Sequence, residues 1–353
     1  MSNVELNILL QKKITTYLNY ILPLSAILWD EKKLNWLNEH FIQLYAMKYN
    51  KTDYIWLDYH EELHFVKDIS EYKFISSNQI KNLDIINFLK DKLRNNYYLM
   101  LFLDKYFLEE TDSYLKEHEF LQIFLYGYND ISEEFYSIGF MDNQEIGFLR
   151  YSYKDIISSY EFCQNNYEND MIWVKLYTCI LIKPFNFDSN YKCDLPFILS
   201  YINNYLTGYN KQPLRPEIKT INGENAIYGI KVIDVVIEYL KKLLENKYLM
   251  DYRQVHLIHE HKKLMLTRIN FLVEMYNVNI EKFYKYIDLY KNIEKNTEAA
   301  RMFYLKGILK YGKRNIYAFL EDKTAIEKII HIYEETKKQE ELVLSELIYQ
   351  CSK

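Results

Sequence analysis

At 353 residues and 49% hydrophobic content, the chain is longer than one core usually organises and too apolar to stay unfolded. Its formal net charge of -5, with no Lys/Arg block longer than a pair, leaves no electrostatic footprint for nucleic acid or an anionic membrane. The amino terminus has no basic stretch leading into an apolar core, and the longest apolar runs fall well short of the roughly 20 residues of a membrane helix. The expectation is a soluble, cytoplasmic protein with no membrane and no nucleic-acid partner.

In chain order, Pro23 stands where a proline opens the first turn of a helix through Leu24, Ile27 and Leu28. Leu34, Leu37, Phe41, Leu44 and Tyr45 recur at helical spacing and predict a helix over 31–48. Short strands are expected at 54–57 and 73–75. A helix capped by Asn78 is expected over 79–94, its buried face carrying Ile80, Leu83, Ile86, Phe88 and Leu93. Then come the runs YYLMLFLDKYF and LQIFLYGYNDISEEFYSIGFMDNQEIGFLRYSY. Aromatic and β-branched residues bounded by Asp, Asn and Gly predict an antiparallel meander with strands at 97–103, 121–128, 134–141 and 146–152. Gly127 and Gly139 lie inside strand-like sequence, where glycine marks a bulge or a close backbone approach.

A helix over 153–164 and a strand over 170–182 follow, and beyond them the character changes. Helices are expected at 194–207, 229–246, 252–276, 279–294, 297–311 and 324–350, with a long loop at 208–229 holding Pro213, Pro216 and Gly223. Leu257, Leu264, Ile269 and Leu272 are expected in the core of the 252–276 helix. This pattern gives an α+β fold in two domains: residues 1–182 around an antiparallel sheet, and residues 183–353 as an α-helical domain.

The chemistry-bearing residue types are sparse. Cys163, Cys179, Cys193 and Cys351 match neither a disulfide framework nor a CxxC knuckle, so free thiols are expected. His256, His259, Glu260 and His261 cluster on one helix without forming HExxH, and a third ligand beside His256 and Glu260 is not visible. No metal site is expected, and the cluster reads as hydrogen-bonded histidines with Glu260 and Lys262 or Lys263 on a solvated face. With eight glycines, no GxxxxGK[ST] and no GxGxxG, no nucleotide or other cofactor is expected. The 36 tyrosines are spread through every segment and define no binding face.

Strand-rich segments after an opening helix, with YGY on the central strand, resemble the papain-like clan. The pieces LMLFLDKYF, SYLKEHEF, IFLYGYND, FYSIGF and YSYKDIISSY resemble the amino-terminal domain of the butirosin biosynthesis protein H family. YGIKVIDVVIEYL, DYRQVHLIHEHKKLMLTRI and the closing EELVLSELI resemble its carboxy-terminal region. That resemblance implies a papain-like amino-terminal domain that moves an acyl or peptidyl group from a carrier-protein thioester to an amine with a Cys-His-Asp triad.

This chain departs from the triad at all three places. No cysteine precedes Cys163, so the Pro23 helix has no thiol. Leu121 stands six residues before Gly127, where the histidine is expected, and Gly139 stands where the carboxylate is expected. On this alignment the protein is a degenerate acyltransferase-like partner of thiotemplated peptide or natural-product biosynthesis, binding a carrier protein or an active enzyme. Two alternatives stay open. One is a working acyltransferase or amide synthase in which Ser25, His118 and Asp142 substitute for the triad; the other is a helical protein-interaction module without catalysis.

Overall fold

The expected meander forms, and around it the computed structural model describes residues 3–48, 55–62, 64–109, 111–141, 145–166, 178–210, 226–246, 251–311 and 323–353. The chain divides into two compact units, Met1–Leu34 with His64–Asn190, and Asn35–Leu63 with Tyr191–Lys353. The linear division at 182/183 places residues 35–63 with the first part of the chain; by contact they belong with the second.

The first unit is built on β4 (Ser70–Ile75), β5 (Tyr98–Asp104), β6 (Phe120–Asn129), β7 (Glu134–Phe140), β8 (Ile146–Ser152) and β9 (Cys179–Pro184), in the order β4-β9-β5-β6-β7-β8. Every neighbouring pair is antiparallel. β1 (Asn3–Glu5) adds to β6. β5 is buried along its whole length, because β9 and β6 flank it and both faces of the sheet are covered. On one face Leu99, Leu101, Leu103, Leu121, Ile123 and Leu125 share a core with Leu89 and Leu93 of α3 (Ile85–Arg94) and Ile156 and Tyr160 of α4 (Tyr153–Asn166). Helix α1 (Leu18–Ile27) lies against β6, β7 and β9.

Gly127 behaves as expected. The β6–β7 register shifts between Leu125 and Gly127, and a Cβ at Gly127 would stand 2.4 Å from the Val4 carbonyl oxygen. Glycine is thus what admits β1 alongside β6. Gly139 pairs in regular register with Gly147 and makes no bulge.

Several expected boundaries are corrected. α1 begins at Leu18, so Pro23 lies inside it rather than opening it; burial of every residue from Tyr20 to Ile27 outweighs the one helix bond that proline cannot make. The 31–48 helix is instead a 3-10 helix (Glu31–Asn38) followed by β2 (Leu44–Lys48). Phe41, at φ 58°, turns the chain out of helical space, and Leu37, Phe41, Leu44 and Tyr45 are buried as their pattern demands, but on different elements. The 79–94 helix is split into α2 (Ser77–Ile80) and α3. Asp84, not Asn78, caps the longer piece by accepting from Asn87 N at 3.0 Å, and Leu83 is left half exposed. The strand expected at 170–182 is described from residue 178 onward, and residues 170–177 lie outside the described residues.

The second unit joins a small sheet of β10 (Ile227–Tyr228), β2 and β3 (Ile55–Tyr59) to α5 (Leu195–Thr207), α6 (Val232–Asn246), α7 (Tyr252–Met275), α8 (Ile280–Tyr311) and α9 (Lys323–Cys351). α8 lies along both α7 and α9, while α5 and α6 also pack on α9. Leu257, Leu264, Ile269 and Leu272 are buried as expected. The two helices expected over 279–311 are one, because the Thr297 hydroxyl donates to Ile293 O and Glu294 O within the helix and does not cap a new one. Of the 208–229 loop, residues 211–225 lie outside the described residues, and its end forms β10 against β2.

Gly127→Ala should force β1 away from β6 and lower stability by about 1–3 kcal/mol, read as a drop in the urea midpoint without a change in slope.

Candidate functional site

Ser25, His118 and Asp142 do not assemble into a triad. Ser25 has no exposed surface, and its Oγ donates to Ile21 O at 2.8 Å, the back-bond of a helical serine. Asp142 lies outside the described residues. His118 instead meets a carboxylate that the sequence reading passed over, Asp104.

That pair follows from how β5 ends. Asp104 closes a wholly buried strand and is itself without exposed surface, so its charge must be met by donors. Its Oδ1 accepts from Tyr106 N at 2.9 Å and Glu119 N at 3.3 Å, and its Oδ2 from His118 Nδ1 at 2.8 Å. Ser159 of α4 fixes the backbone there: its Oγ accepts from Asp104 N at 2.6 Å and donates to Asp104 O at 3.0 Å. Three residues on, along the same helix face, Phe162 lies flat on the His118 ring at 4.3 Å and 3°. Tyr106 covers the opposite face at 4.4 Å and 21°.

A carboxylate only accepts, so Nδ1 carries the hydrogen and Nε2 of the neutral ring presents its lone pair. The His118 side chain is 47% exposed, and Nε2 has no hydrogen-bond partner among the described residues. The imidazole is therefore covered on both faces, oriented from behind and open at one edge.

The charges of the 256–262 segment are arranged differently. Of the solvated face expected for Glu260 and Lys262 or Lys263, Lys263 is exposed, but Glu260 and Lys262 are buried. Lys262 Nζ donates to Glu340 Oε2 and Tyr205 OH, each at 2.7 Å, and lies 3.2 Å from His261 Nδ1. Tyr205 and Tyr290 donate to Glu340 at 3.0 and 2.5 Å. His261 Nε2 lies 2.8 Å from Ile42 O, which makes Nε2 the protonated nitrogen and Nδ1 the acceptor from Lys262.

Every donor of the ammonium is used and the carboxylate is met from three sides. With its charges met by one another and no exposed surface, the cluster is a structural lock that no ligand reaches. Burial, with the adjacent Lys262 charge, holds His261 well below its ordinary 6.5. His256, 3.7 Å from Glu260, is pushed down to about 4 by burial and by Arg301. No group of three or more potential metal ligands occurs among the described residues.

Thiol chemistry has no support either. Burial pushes Cys193 up to about 12, Cys351 up to about 11 and Cys179 higher still, so the reactive thiolate is scarce at neutral pH. A second histidine–carboxylate pair, His40 Nδ1 to Glu61 Oε2 at 3.1 Å, is closed by comparison: the side chains are 15% and 12% exposed and the ring stacks on Trp36 at 3.8 Å. No helix among the described residues is long and apolar enough to cross a membrane. No family model and no curated protein matches the chain.

Removing one partner of the lock should be far worse than removing both. Glu340→Ala should cost about 3–5 kcal/mol, and Lys262→Met with Glu340→Leu considerably less, compared by chemical denaturation.

Acid should also weaken the second unit. With the folded pKa of His261 below 6.5, the unfolded chain takes the proton first as pH falls through that value. Stability should therefore be complete above pH 6.5 and decline below it, by up to about 1.4 kcal/mol per pH unit for each such histidine. His261→Gln should flatten the slope of stability against pH.

Proposed function

We propose that the protein is a degenerate acyltransferase-like protein of thiotemplated peptide or natural-product biosynthesis, with a papain-like first unit, that binds an acyl or peptidyl carrier protein or a partner enzyme without forming an acyl-enzyme. The architecture expected of that reading is a helix laid on an antiparallel sheet, and α1 on β6, β7 and β9 is consistent with it. The observation that carries the non-covalent part is Ser25. Its hydroxyl is enclosed in the core and committed to Ile21 O, while Leu121 is buried in the apolar core at the position the triad histidine would take. A nucleophile there would need both exposure and a base, and Ser25 has neither.

The test is to incubate the protein with carrier protein bearing an acylated pantetheine arm, measuring association by calorimetry and covalent transfer by intact mass. Binding without an acyl adduct on the protein is expected, and Ser25→Ala should leave binding unchanged. An adduct that disappears in Ser25→Ala, or the absence of any association with carrier proteins, overturns the reading.

A further inference from the structure

We propose that His118 and Asp104 form a general-base dyad that activates water from solution against an apolar acyl thioester. This goes beyond the binding role above and does not depend on it, since the dyad is complete within the first unit.

Four observations lead there. First, Nδ1–H is tied to a fully buried carboxylate that two backbone N–H groups also hold, so the tautomer and ring orientation are set and the lone pair is at Nε2. Second, Phe162 and Tyr106 cover both ring faces. A ligand cannot stack on the imidazole and must approach its edge, in the ring plane, where a proton is transferred.

Third, the neighbouring hydroxyls are already committed. Ser159 bridges the Asp104 backbone, Thr111 donates to Lys105 O and Leu108 O, and Ser113 donates to Glu117 and Glu119. With no side-chain nucleophile at Nε2 among the described residues, the attacking group is taken from solution. Fourth, Phe107 leans on both His118 and Phe162, at 6.1 and 5.3 Å, so aromatic surface suited to an apolar acyl chain or ring adjoins the imidazole.

The chemistry then selects the leaving group. His118 Nε2 takes a proton from water as the water oxygen bonds to the carbonyl carbon. The carbon–sulfur bond breaks as the tetrahedral adduct collapses, and the imidazolium returns its proton to the departing sulfur. A carboxylic acid and a thiol result, with no change in oxidation state. The imidazolium can return this proton to any departing group, but a thiolate is the acyl leaving group that needs it least, so a thioester is the substrate that a base of this kind hydrolyses most readily.

The test uses the full chain and S-benzoyl N-acetylcysteamine, with hydrolysis followed by loss of thioester absorbance. Wild-type protein should exceed free imidazole at equal concentration. His118→Ala, at a half-exposed position, should lose about 100-fold or more with its circular dichroism unchanged. Ser25→Ala should keep the wild-type rate. The proposal is overturned if His118→Ala hydrolyses as fast as wild type, or if wild type is no faster than imidazole. Carrier binding with no hydrolysis would remove the dyad and leave the proposed function standing; hydrolysis with no carrier binding would do the reverse.

Discussion

A charge without access to water must be met by groups at fixed positions, and this constraint organises both units. In the first, the Asp104 carboxylate at the buried end of β5 draws in two backbone N–H groups and His118, and Ser159 of α4 pins the strand end behind it. In the second, Glu340 gathers Lys262, Tyr205 and Tyr290 from three further helices. The outcomes differ because of exposure. Around Glu340 both charges are met and nothing reaches solvent, whereas the ring held by Asp104 keeps one edge open. The same physics gives a lock in one unit and a presented base in the other.

The meander was legible because its strands are long, aromatic and bounded by turn residues, and the 252–275 helix because its apolar period is unbroken. The elements misread were those in which two local preferences compete. Residues 31–48 keep a helical apolar period, but β2 has a partner strand in β3, and sheet pairing prevails. Asn78 and Asp84 both offer a cap, and Asp84 accepts the helical N–H. Thr297 resembles a boundary until its hydroxyl turns back onto the helix.

The site was half legible. His118 stood out as a residue type, but Asp104 lies fourteen positions earlier at the end of a run that reads only as core. An acidic residue closing an apolar strand was the available signal, since a strand buried to its last residue carries its carboxylate inward and obliges a partner. Lys262 gave no such warning. Among His, Glu and Lys neighbours it has the pattern of a solvated face, and its partner Glu340 is 78 residues away, a separation that no local pattern bridges.

The threading of the second unit has a consequence for the order of assembly. Arg268 donates to the carbonyls of Leu37, Asn38 and His40, and His261 bonds to Ile42 O, contacts that span more than two hundred residues of chain. Residues 35–63 leave the ribosome before the first unit's sheet is complete, and must wait for α7 before Arg268 and His261 reach those carbonyls. A chain made from its amino terminus can finish its first unit while the earliest portion of its second, with β2 paired to β3, still lacks its partners on α7. A fragment beginning at residue 183 would lack that portion altogether, leaving Arg268 and His261 without their backbone acceptors. Residues 35–63 thus precede the first unit's sheet in the chain, yet contacts from α7, beyond that sheet, secure them.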